Sequence, residues 1–141
     1  MIEKDNPPLW FWVAAGLGLV WNLIGVGAFV NEVFYLDPAT LSELQRSFFE
    51  NRPNWATAGY AVAVFSGALG CLALLLRKAW ALPMLILCLV GIVIQIFHAI
   101  ALGNGIEVFG LEGLILPILV FIVACLLTWF AHYCGKRGWL S

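Results

Sequence analysis

The sequence predicts an all-α integral membrane protein, a four-helix bundle with a short interfacial helix in its first outer loop. Three observations lead there. Of 141 residues, 63% are hydrophobic and only 11% charged, whereas a soluble domain is roughly one quarter charged. Four stretches are long and apolar enough to match the roughly 20 helical residues that cross a hydrocarbon core. None shows the dyad alternation of a transmembrane β-strand. Polar material is confined to two short ends and three connections, so residues 1–141 are expected to form a single four-span domain.

The first span covers about 9–31, "LWFWVAAGLGLVWNLIGVGAFVN". It reads as a retained span and not a cleaved leader, because the apolar run is long, "MIEKDNPP" is not cationic, and no small-residue cleavage site follows. The connection after it is expected to be ordered, with an interfacial helix over about 38–51. Asp37 followed by Pro38 fits a cap and first helical position, and Thr40 with Glu43 also fits a capping box. Leu41, Leu44 and Phe48, with Phe49 beside them, make one greasy face, and Ser42, Glu43, Arg46 and Glu50 the other. Such a helix anchors at the headgroup boundary; the sharper alternative is a lid over a cavity. Pro53 ends it and starts the second span, about 54–76. The third runs over about 79–102, with Pro83 harmlessly one turn in, and the fourth over about 108–134, where the deeper Pro117 is expected to kink the helix.

With four spans, both ends and the middle connection share a face carrying Lys4, Arg77, Lys78, Lys136 and Arg137, against Arg46 and Arg52 opposite. That asymmetry places both termini in the cytoplasm. Glu32, Asp37, Glu43, Glu50, Glu107 and Glu112 fall on or near the outer side, making that mouth negative and favouring cations there. Trp10, Trp12, Trp55, Trp80, Trp129 and Trp139, near span ends, are interface anchors, and His132 and Tyr133 read the same way.

Depth then sorts the polar residues. Counting about 1.5 Å per residue puts Asn22 slightly outside the midplane, with Gln95 and His98 about 6 and 10 Å toward the outer face. Tyr60 and Glu112 fall in the same half. Helical spacing makes a stripe of Cys88, Gly91, Gln95, His98 and Leu102 on the third span. The first span offers Gly18, Asn22, Gly25, Phe29 and Glu32, the second Gly59, Ala63, Ser66, Gly67 and Gly70. Small residues let backbones approach, so these are the expected interhelical faces. A polar side chain turned to lipid leaves donors and acceptors unpaired at a cost of several kcal/mol. Asn22, Tyr60, Gln95, His98 and Glu112 are therefore expected to meet as a polar cluster, the candidate ligand-binding residues.

Each also has a packing reading. Asn22 and Gln95 can be interhelical glue of about 1 kcal/mol. A carboxylate beside His98 would make it a credible proton acceptor. Glu112 is the strongest functional candidate as an intramembrane acid, unless the Gly-rich "GNGIEVFGLEG" delays the span and leaves it at the interface. Glu107 is expected to be solvated. Cys71, Cys88, Cys125 and Cys134 lie within spans without a CxxC pair, as reduced apolar residues. One His and one Glu are too few for a metal site, although Gln95 or Asn22 could complete an oxygen and nitrogen set; the signal is weak and no metal site is expected. No cofactor is implied, and no phosphate loop, nucleophile elbow or basic nucleic-acid patch is present.

"WNLIGV", "RPNWATAGYAVAVFSGALGCLALLLRKAWA" and "IVIQIFH" together resemble a family of small bacterial four-span proteins often labelled "sugar transporter". The resemblance covers about three of the four spans, omitting Glu112, and implies this topology, a bacterial inner membrane, and transport. No internal repeat adds to it. Two function classes follow. In the first, the outer-half cluster binds or transports a small polar solute or proton, as a homo-oligomer because four helices enclose little volume. In the second, the same residues are buried glue and the chain is a non-catalytic accessory or assembly subunit of a larger membrane complex. A quinone or lipid enzyme using His98 and Glu112 ranks third, for want of a nucleophile with an evident base.

Overall fold

A computed structural model describes residues 6–102, 107 and 110–141. The described residues are helical, with four helices long and apolar enough to cross a membrane. Helix α1 (Leu9–Val30) follows Pro8, whose extended backbone (φ −70°, ψ 168°) sets the start. Proline is harmless there because the first turn needs no donor from it. A π-helical turn over Asn31–Tyr35 prolongs α1.

Helix α2 spans Glu43–Asn51. Its start corrects the expected 38–51 boundary and the expected cap. Ser42 and Gln45 form the capping box, with Gln45 N–H donating to Ser42 Oγ at 3.2 Å and Ser42 N–H to Gln45 Oε1 at 3.3 Å. Asp37 Oδ1 instead accepts from Ala39 N–H at 2.9 Å, closing the short 3-10 turn Pro38–Thr40. Both segments carry capping chemistry, and only the second is followed by enough helix to use it.

Helix α3 (Asn54–Leu75) begins directly after Pro53. Helix α4 (Ala81–Phe97) runs into a second π turn, His98–Leu102. Helix α5 is Ile115–Lys136, preceded by a 3-10 turn at Leu111–Leu114. The fourth apolar helix thus starts later than the expected 108, a position that itself lies outside the described residues. Gly110, with φ 73°, explains the delay: a left-handed residue cannot continue a helix.

The long helices pack in the order α1, α3, α4, α5, with α3 and α4 closest and α1 and α5 barely meeting backbone to backbone. Gly59, Ala63, Ser66, Gly67 and Gly70 of α3 are all buried, as the small-residue stripe predicted. A Cβ on Gly91 would sit 2.6 Å from the Gly59 carbonyl oxygen and 2.8 Å from the Ala63 nitrogen, so only glycine admits this approach. The Ser66 hydroxyl donates to the Val62 carbonyl, and Thr128 Oγ1 to that of Ala124 at 2.8 Å, which satisfies both inside their own helices.

At the end where α1 starts and α5 stops, called here the terminal end, Phe11 lies 5.8 Å from both Phe130 and Trp139. The chain end is stitched to the α3–α4 turn. Ser141 N–H donates to Arg77 O at 3.0 Å, Ala79 N–H to Ser141 O at 2.9 Å, and Arg77 Nε to Trp139 O at 2.9 Å. Elsewhere the outward faces are apolar, with Leu17, Ile24, Leu116 and Leu126 all exposed. Monomeric soluble proteins rarely present such continuous apolar surface.

Candidate functional site

The geometry of α1 against α5 makes the site. In the terminal half they touch: Leu127 lies so close to Gly18 that a Cβ there would meet its Cδ2 at 2.8 Å. Farther along they diverge, leaving a cavity of about 290 Å³ among α1, α3, α4 and α5. Its walls are mostly apolar, with Ile92, Val120 and Leu127 typical, and three amide or hydroxyl side chains interrupt them: Asn22, Tyr60 and Gln95.

Asn22 is buried, and its amide donates to the Gly18 carbonyl at 2.8 Å and to Cys71 Sγ at 3.4 Å. Its carboxamide fills the space beside Gly67 where any larger residue would clash. Tyr60 is half-buried, its ring 5.1 Å from that of Phe29 and its hydroxyl in the field of Glu32 and Arg52. Gln95 differs. It is half-buried on the cavity wall, and no hydrogen bond joins its carboxamide to a described residue.

A charged group sits at the far end, away from the termini. Arg52 Nη1 donates to Glu32 Oε1 at 2.8 Å, with side chains 10% and 18% exposed. Arg52 Nε donates to Thr57 Oγ1 at 3.2 Å, and the guanidinium lies 5.5 Å from the Phe49 ring. His98 is buried between Phe48 of α2 at 5.7 Å and Trp55 of α3 at 5.6 Å, within the field of Arg52.

The five expected cluster residues therefore part company. Asn22, Tyr60 and Gln95 share one cavity wall. His98 is not on that wall and sits under α2 instead. Glu112 is exposed in the 3-10 turn before α5, away from the cavity, which corrects its expected membership of the cluster. The reason is the late helix start: the acid precedes the span and does not lie inside it. Glu32 and Arg52 are the polar pair that the sequence reading left unjoined. Glu32 does lie on the first span's stripe, but a long connection hides its partner. Among the described residues, no three His, Cys, Asp or Glu side chains gather as a metal site. Cys71, Cys88 and Cys134 are buried thiols and Cys125 an exposed one.

The chain matches no family model, no curated protein and no solved structure. The likeness to four-span proteins labelled "sugar transporter" rests on the quoted residues alone.

Proposed function

We propose that the chain is a multi-pass protein of a bacterial inner membrane, a four-helix bundle with both termini cytoplasmic, that binds a small molecule between α1 and α5 as a step of transport. One observation carries this reading: Asn22, Tyr60 and Gln95 converge on a cavity of about 290 Å³, and the Gln95 carboxamide has no described partner. An amide in hydrocarbon without a hydrogen bond costs about 1–3 kcal/mol. A bound polar group would recover that cost. The quoted resemblance supports transport in the same direction.

The orientation rests on five Lys and Arg on the terminal side against Arg46 and Arg52 at the other. Cysteines introduced at Ser42 and Lys136 test it: in intact cells a membrane-impermeant maleimide should label the first and spare the second. The reverse pattern would invert the topology. The binding reading is tested by screening solutes for thermal stabilisation of purified wild type, then repeating hits on Gln95→Leu. Stabilisation that disappears in the variant supports it, and stabilisation that survives unchanged places the ligand elsewhere.

A second reading has its own support. Asn22, Ser66 and Thr128 all satisfy themselves within the helices, as packing residues do, while α1 and α5 present broad apolar faces through Leu17, Ile24, Leu116 and Leu126. An accessory subunit would dock by those faces. Polar substitutions at Val20 and Ile118, exposed and off the cavity wall, would then abolish assembly with a larger complex and leave solute stabilisation untouched.

A further inference from the structure

We infer that the cavity's occupant is a neutral single-chain lipid that enters sideways from the bilayer between α1 and α5, resting its carbonyl on Gln95 and its chain along the seam. This rests on the ligand-binding reading above and names the class of ligand.

The cavity does not end where α1 and α5 approach. A second, shallower depression of about 350 Å³ continues along the same seam, lined by Ala14, Leu17, Leu126 and Trp129. Trp21, Val123 and Leu127 form walls of both. From Ala14 to Ala28 the two follow α1 for about 21 Å at 1.5 Å per residue. Leu127 over Gly18 narrows the furrow between them. One helix–helix seam accommodates one chain, and α1 and α5, unlike the α1–α3, α3–α4 and α4–α5 pairs, share little backbone contact, so their seam is easily parted.

Chemistry fixes the headgroup. No charged side chain lines either depression among the described residues, and an ion moved there would lose its hydration without compensation. The ligand is therefore neutral. The donors of Asn22 are already engaged with Gly18 and Cys71, and the Tyr60 hydroxyl lies in the field of the Glu32 carboxylate. Gln95 alone offers an uncommitted amide, enough for one carbonyl or hydroxyl. A sugar or other many-hydroxyl solute would leave most of its groups unpaired against Ile92, Val120 and Leu127, which this cavity makes costly.

The test uses the full chain in detergent micelles with a fatty-acid methyl ester carrying a photoreactive diazirine in its acyl chain, and maps adducts by mass spectrometry. Adducts should concentrate on Trp21, Val123 and Leu127. Unlabelled methyl oleate should compete for them and methyl acetate should not. Gln95→Leu should weaken that competition by about threefold to tenfold, the worth of one hydrogen bond. Val123→Phe, at a half-buried position, should block the furrow; Ala28→Phe, on the exposed rim, is a second plug should the first not fold. Adducts spread evenly over outward residues such as Leu69 and Val90, indifferent to methyl oleate and to Gln95→Leu, would overturn the inference. If a water-soluble solute then stabilised wild type but not Gln95→Leu, the cavity would remain a binding site with a different ligand. If neither probe nor any solute responded to Gln95→Leu, both readings would fall.

Discussion

Arg52 and Glu32 meet at 2.8 Å across the far end of the molecule, joining the exit of α2 to the π turn that follows α1. Both side chains are largely buried, and Thr57 Oγ1 accepts a further hydrogen bond from Arg52 Nε. Removing one partner leaves the other charge poorly solvated. Arg52→Gln should therefore destabilise the protein by about 2 kcal/mol, between the small value of an exposed pair and the larger one of a fully buried pair. The double variant Glu32→Gln, Arg52→Gln should recover part of that loss. Thermal unfolding of wild type, Arg52→Gln, Glu32→Gln and the double variant in one detergent checks the cycle, and additive losses would show that the two residues are not coupled.

Two glycines, both helical, separate packing from propensity. Gly91 abuts the backbone of α3, and Gly16 has nothing within 4 Å of its missing Cβ. Gly91→Ala must push two backbones apart and should cost about 1–3 kcal/mol. Gly16→Ala meets open space and should be neutral or gain up to about 1 kcal/mol from helix propensity. Equal melting temperatures for the two variants would contradict the close α3–α4 approach.

These same contacts explain what the sequence could reveal. Continuity of apolar residues is a local property, and it located α3, and α4 together with its π turn, to within two residues, 54–76 against Asn54–Leu75 and 79–102 against Ala81–Leu102. The small-residue stripe of α3 was legible for the same reason, since helical spacing alone puts Gly59, Ala63 and Gly67 together. Failure came where a local signal had two solutions. Asp37 and Ser42 both offer caps, and the turn took the first. Glu112 follows a glycine whose left-handed backbone delays α5. His98 sits under rings from α2 and α3, a neighbourhood made by tertiary packing that no single span's register contains. The Arg52–Glu32 pair is likewise a consequence of how the connection folds back.

Trp139 closes the terminal end, edge-on to Trp10 at 5.5 Å and to Phe11 at 5.8 Å, and its indole N–H is buried without a partner. The ring therefore stabilises by packing, while the N–H contributes no hydrogen bond. Trp139→Phe keeps much of the aromatic contact and removes an unsatisfied donor, so its cost should stay below about 1.5 kcal/mol. Trp139→Ala empties the site and should cost about 3–5 kcal/mol. The comparison is read from melting temperatures; a phenylalanine variant as damaged as the alanine one would mean that the indole N–H matters.

His98 offers the sharpest separation of packing from chemistry. It is 5% exposed, ring contacts with Phe48 and Trp55 hold it, and no hydrogen bond ties its imidazole to a described residue. It also lies off the wall shared by Asn22, Tyr60 and Gln95. A residue so placed contributes through shape, so His98→Phe should change stability by less than about 1.5 kcal/mol, whereas His98→Ala should cost about 3 kcal/mol through the void between α2 and α3. His98→Phe should also leave ligand-dependent stabilisation intact while Gln95→Leu removes it. If His98→Phe abolished that stabilisation with its melting temperature unchanged, the imidazole would have a chemical role that its place beneath α2 does not account for.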